Sequence, residues 1–227
     1  MIRQLIACAA GVAAMTGVSQ ASVVDLSGFG HGEKLVDQIA GLAVTATSNG
    51  GGQSNDFAIV FNTGTPGSGS GGDSDLGATF DDPSTPGNEM YDPGNILVVA
   101  EGGCSGDFCR PDDNASGGSI TFAFDEDKIF NSMDVFDMRT NALTVTLFDA
   151  GGAIAAMVAG PDFNTDTNGN GQNEFTTLDF GGVRFRSALF EFRDSGGIGA
   201  FDITQVPVPG AALLFLTALA GARLRRR

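Results

Sequence analysis

The sequence predicts an all-β fold, a jelly-roll-like β-sandwich of about ten strands. Three observations predict it. No long amphipathic helical pattern appears between the two chain ends. Short runs of β-branched and aromatic residues recur there instead, separated by clusters of Gly, Asn, Asp and Pro. Within the runs, apolar residues alternate with a period of two, as they do in a strand that buries one face.

The elements follow in chain order. Leu42–Thr47, Phe57–Phe61 and Ile96–Glu101 open the series. Ser119–Phe124 puts Ile120, Phe122 and Phe124 on one face, and Ser132–Met138 comes after it. Leu143–Phe148 sets Leu143, Val145 and Leu147 on one face and Thr144 and Thr146 on the other. Ile154–Val158 and Thr176–Phe180 are next. In Val183–Arg193 the parity changes: Val183 and Phe185 share one phase, Phe190 and Phe192 the other. That change predicts a bulge near Ser187 or Ala188. Phe201–Thr204 ends the series. Thr63–Asp92, rich in Gly, Ser, Asp and Pro, has little to bury and reads as a long, partly irregular loop.

Both chain ends differ from this body. Arg3 gives a positive start, Leu5–Val18 is mostly apolar, and Ser19-Gln20-Ala21 offers small residues where a signal peptidase reads. Residues 1–21 are therefore expected to be a signal peptide, cut between Ala21 and Ser22. Leu5-Ile6-Ala7-Cys8 fits a lipoprotein box by residue type, but too little apolar sequence precedes it. At the other end, Val206-Pro207-Val208-Pro209-Gly210 precedes an uncharged run, Ala211–Ala222, and then Arg223, Arg225, Arg226 and Arg227. The two prolines favour an extended segment. The run suits a helix in lipid, somewhat short of the ~30 Å hydrocarbon core. Arginine stems lengthen it by snorkelling, and the cluster is expected to stay cytoplasmic.

This order of parts resembles the C-terminal sorting signal of the PEP-CTERM class, and more closely its VPLPA-CTERM variant. Val206, Pro207 and Pro209 match the motif; Val208 stands where it has leucine and Gly210 where it has alanine. The resemblance implies three parts: a signal peptide at 1–21, an extracellular domain at 22–205 and a sorting signal with a transmembrane helix at 206–227. It also implies an exosortase-type sorting enzyme as partner and residence at the cell envelope or extracellular surface. In the body, Gly72–Gly77, Gly94–Glu101 and Pro111–Gly118 with the strand after it resemble one group of such secreted, β-rich proteins.

Composition narrows the function. All 27 acidic residues but only seven of the 12 basic ones lie in 22–205, which therefore carries a formal charge of −20. Such a surface repels nucleic acid and anionic lipid. After signal cleavage two cysteines remain, Cys104 and Cys109, in Cys-Ser-Gly-Asp-Phe-Cys. In an oxidising compartment they are expected to form a disulfide.

Catalytic motifs are absent from the sequence. There is no Gly-x-Ser-x-Gly elbow and no His-Glu-x-x-His. The one histidine, His31, has glycine on both sides and reads as a flexible loop residue. Gly67–Gly72 matches Gly-x-Gly-x-x-Gly but neither follows a βαβ strand nor opens a helix, so it reads as a linker. A glycosidase needs two carboxylates at a set separation, and sugar sites favour aromatic rings with a polar handle. Carboxylates abound, but the chain has no Trp and one Tyr, Tyr91. A lectin working through calcium and hydrogen bonds remains compatible.

Calcium is the candidate cofactor. Asn164, Asp166, Asn168 and Asn170 alternate along Asn164–Asn170 with Gly169 at the turn, like the front half of an Asp-x-Asp-x-Asp-Gly loop. Phe175 occupies the place of the closing glutamate. Asp73 with Asp75, and Asp112 with Asp113, are further oxygen pairs. The sequence thus points to a non-catalytic structural or interaction protein of the envelope or exopolysaccharide matrix, with surface glycans as partners. The alternative is an extracellular carbohydrate-active hydrolase with a carboxylate site.

Overall fold

Alternating apolar residues need a partner layer to cover them, and the chain supplies it by doubling one sheet over. The computed structural model describes residues 21–50, 56–64, 76, 80–81, 90–137, 142–160 and 175–206. Among them every regular element is a strand. In chain order these are β1 (Ala21–Val24), β2 (Leu42–Ser48), β3 (Ala58–Asn62), β4 (Phe80–Asp81), β5 (Met90–Tyr91), β6 (Asn95–Val99) and β7 (Cys104–Ser105). β8 (Phe108–Cys109), β9 (Gly118–Phe136), β10 (Leu143–Phe148), β11 (Ile154–Ala159), β12 (Phe175–Phe192) and β13 (Gly197–Gln205) follow.

Nine strands share one sheet, ordered β11-β10-β12-β9-β13-β6-β3, with β1 also on β13 and β2 also on β9. β9 and β12 are long enough to serve two layers. The first half of β9 pairs with β2 and with the end of β12. Its second half pairs with β13 and with the start of β12. The two layers meet through their inner faces: Phe122 of the first stacks on Phe201 of the second at 5.0 Å. Phe124 likewise meets Phe185 at 5.4 Å. Val44, Val145, Phe190, Met133 and Ile203 join the same core. Ala21–Gln205 forms one compact unit.

The corner between the layers is a wide bulge. Phe185 lies opposite Lys128, but Ser187 lies opposite Ala123. Arg186 therefore faces all of Phe124–Asp127. The sequence places a bulge near Ser187 or Ala188, and the register shifts there, at Arg186. Arg184 donates from Nε to Asp127 at 2.8 Å and also from Nη2 at 2.5 Å, and Arg186 donates to the other carboxylate oxygen at 2.8 Å. A second irregularity, between Asp179 and Val183, uses Gly181 and Gly182, both at positive φ, where side chains are strained.

The strand assignment is corrected in two ways. Ser119–Phe124 and residues 132–136 of the next run belong to one strand, β9, and Thr176–Phe180 and residues 183–192 to one strand, β12. The charged Asp125–Lys128 stretch lies between the two runs, and the backbone stays extended through it at the corner. Thr63–Asp92 also buries more than its composition suggests. Leu76 and Phe80 are fully buried in a second core with Ile59, Phe61, Ile96 and Phe136. Phe80 lies in β4, paired with β5. Isolated apolar residues in a Gly/Ser background give no periodicity, so that signal was missing.

Candidate functional site

The Pro111–Gly118 segment organises the end of the first layer. Asp113 and Asn114 are each 3% exposed. The Asp113 carboxylate accepts a hydrogen bond from the Gly196 N–H at 2.6 Å. The Asn114 amide donates to the Ser48 hydroxyl, its N–H donates to the Val99 carbonyl at 3.0 Å, and its side-chain oxygen accepts from the Ser116 N–H at 2.9 Å. Gly117 has φ 71°, and a Cβ there would lie 2.3 Å from the Phe192 carbonyl oxygen. Only glycine lets the turn pass this close. The Asn49 N–H closes the corner by donating to the Gly117 carbonyl at 3.1 Å.

This buttress fixes the two chain segments that carry Asn49 and Arg193. Between them runs the outward face of the first layer. Thr47 lies opposite Ser119, Ser119 opposite Glu191, and Glu191 opposite Thr144. The next row holds Thr45, Thr121, Leu189 and Thr146. Strand alternation sends the intervening Phe and Val side chains to the core and leaves the hydroxyls of Thr45, Thr47, Ser119, Thr121 and Thr144 on the outward face, while Thr146 in the second row is buried.

At the end of that face is an open hollow of about 250 Å³ lined by Asn49, Ser119, Thr144, Glu191 and Arg193. Among the described residues, none of these five side chains has a hydrogen-bond or ion-pair partner. Acceptor-only carboxylate, donor-only guanidinium, a carboxamide and two hydroxyls therefore converge unengaged on one place. A second hollow of about 160 Å³ is different. There the Asn62 amide donates to Asn95 at 2.8 Å, the Asn95 amide donates to the Leu26 and Phe29 carbonyls, and Ser27 donates to Asp25. Its polar groups hold the fold together.

The other expected residues fall as follows. Cys104 and Cys109 are joined by a disulfide across the β7–β8 hairpin. His31 is not a free loop residue: its Nδ1 accepts from the Asn62 N–H at 2.9 Å and its ring meets Phe61 edge-on. Burial lowers its pKa. Tyr91 packs against Phe136 and Phe175. Burial, and then the Asp134 charge, raise its pKa. Asp112 lies 3.7 Å from Arg110, and Asp113 is the buried anchor described above, so this pair faces different partners. Among the described residues no group of three or more His, Cys, Asp or Glu could hold a metal ion. Asn164, Asp166, Asn168, Asn170, Asp73, Asp75, Pro207, Val208, Pro209 and Gly210 lie outside the described residues, as do residues 1–20. Val206 follows β13 directly, and the expected cleavage site between Ala21 and Ser22 falls at the start of β1.

Sequence reasoning did not single out Glu191, Arg193 or Asn49. The outward Thr144 was legible from alternation; Thr146, placed by the same alternation opposite the apolar face, is buried. Glu191 was one carboxylate among many, and only the cross-strand register shows what surrounds it.

No family model matches the sequence, and no curated protein matches it. Among solved structures the chain is similar to a fucose-binding module from Streptococcus pneumoniae. The identity is 13% and the TM-score 0.27, over 39% of this chain and 62% of that one. It is also similar to CpGH89CBM32-6 produced by Clostridium perfringens, at 12% identity and TM-score 0.34 over 75% and 98% of the two chains. A third is the carbohydrate-binding module CBM6cm-2 from Cellvibrio mixtus lichenase 5A, at 11% identity and TM-score 0.23 over 56% and 86%. Likenesses this weak transfer neither a ligand nor a site to this chain.

Proposed function

We propose that the protein is an exported, non-catalytic interaction module that binds a saccharide of the envelope or exopolysaccharide matrix. The hollow at Glu191 and Arg193 is the binding site. One observation carries this reading: five polar side chains that have no partner among the described residues converge on one hollow. Buried or paired polar groups stabilise a fold; convergent free ones offer hydrogen bonds to a ligand rich in hydroxyls. The hydrolase alternative needs a pair of carboxylates across a scissile bond. Among the residues lining this hollow, Glu191 is the one carboxylate.

We read the doubled sheet as a sandwich of jelly-roll type. In the same proposal, the Val206–Gly210 motif and the run after it deliver the domain to an exosortase-type enzyme and tether it to the membrane. Calcium at Asn164–Asn170 would be accessory to the saccharide site.

A glycan array and a panel of glycoside hydrolase substrates, both run on the full chain, test the reading. Retention of saccharide without turnover is expected. Turnover abolished by a single Asp→Asn or Glu→Gln change would establish the hydrolase instead.

A further inference from the structure

We propose that the hollow takes one neutral sugar ring by a vicinal diol held between Glu191 and Arg193, and that it rejects uronic acids and amino sugars. The inference rests on the saccharide reading above and narrows its ligand class.

Glu191 and Arg193 stand two residues apart with their side chains on one face, about 6–7 Å along the chain. Both line the same hollow, and among the described residues they form no ion pair with each other or with anything else. A carboxylate only accepts hydrogen bonds and a guanidinium only donates them. A ligand group placed between the two must therefore donate to one side and accept from the other. Hydroxyl groups do both. Two neighbouring hydroxyls can donate to the two oxygens of Glu191 while their own oxygens accept from the Arg193 fork. A ligand carboxylate would satisfy Arg193 but set two acceptors against Glu191. A ligand ammonium would satisfy Glu191 but face Arg193. Asn49, Ser119 and Thr144, each able to donate and accept, extend the same hydroxyl selectivity around the ring.

Charge on the larger scale agrees. The hollow carries one acid and one base and is locally neutral, whereas residues 22–205 carry −20. Every carboxylate on a uronate polymer would add repulsion against that field, and a neutral polymer adds none. Size sets the unit recognised. About 250 Å³ lies below the ~300 Å³ at which drug-sized sites begin, which suits one ring. Beyond the hollow, Thr47 continues the row through Ser119, Glu191 and Thr144, so a longer chain would lie across the strands towards β2.

The test measures binding of the full chain to neutral oligosaccharides, each paired with the uronate of the same linkage: galactan with galacturonan, mannan with mannuronan, glucan with glucuronan. Binding to at least one neutral member is expected, stronger than to its uronate partner and insensitive to ionic strength. Periodate cleavage of the vicinal diols should abolish it. Glu191→Gln and Arg193→Gln should each weaken it about 10-fold to 100-fold without changing the circular dichroism spectrum. Thr47→Val should weaken binding of the longer oligosaccharides but not of the shortest. Tighter binding of a uronate, or neutral binding indifferent to both Glu191→Gln and Arg193→Gln, would overturn the diol clamp and leave saccharide binding standing. Failure of both neutral and acidic sets to bind would overturn the saccharide reading itself.

Discussion

Asp113 shows how one side chain can be read two ways. In the sequence it is half of an acidic pair in a Gly-rich turn, which suits a cation ligand. In the structure it is 3% exposed, and its carboxylate accepts from the Gly196 N–H, three residues beyond Arg193. Removing it leaves a buried donor without its partner, at a cost of about 1–3 kcal/mol. Asp113→Ala should therefore lower the unfolding free energy by that amount in urea titrations. It should also weaken ligand binding, because the segment carrying Arg193 loses its anchor. An unchanged urea midpoint would mean that Asp113 is not the tie described here. The loop's hydrogen-bonding character was visible from Asp, Asn, Ser and Gly in succession; which groups they would hold was not, because those groups lie far away in sequence.

At the scale of elements, the corner of β9 and β12 carries the fold's one tight charge constellation among the described residues. Hydrogen bonds from Arg184 first, and then from Arg186, hold the Asp127 carboxyl below the usual carboxylate range. A carboxylate with a lowered folded-state pKa stabilises the fold at pH values above its unfolded pKa, near ~3.9. That contribution is lost as pH falls through the folded-state value. Asp127→Asn should hence be less stable than the natural protein at neutral pH, and the gap should close as the pH is lowered below ~4. Thermal melts of both proteins across that range measure it; a gap that stays constant with pH would assign the effect to packing. The parity change in Val183–Arg193 had revealed that a bulge exists. It could not reveal that four residues of β9 oppose the single Arg186, because that count depends on the partner strand.

For the whole molecule, the two ends of the described unit lie side by side. β1 pairs with β13, so Val24 faces Phe201 and Ser22 faces Ile203. The core is closed by residues up to Ile203. The segment from Val206 onward is accordingly expected to be dispensable for folding and needed for sorting. Deleting Val206–Arg227 should leave the melting temperature unchanged and yield an exported domain that no longer stays at the envelope. A domain that unfolds on deletion would make the apolar run part of the core. Cutting further, before β13, should unfold the domain, since Ile198, Phe201 and Ile203 are all buried.

The sequence by itself determined that the body is all-β, which faces of β9 and β10 are apolar, and that Cys104 and Cys109 are neighbours able to bridge. Each of these is a local property: period-two alternation and short spacing depend on residues a few positions apart. Only the tertiary structure decided that β9 and β12 run through both layers, that Leu76 and Phe80 build a second core, and that Asn49, Ser119, Thr144, Glu191 and Arg193 share a hollow. These depend on strand register. A shift of one residue in the pairing would send every side chain of a strand to the opposite face, and no local pattern records which partner fixes it.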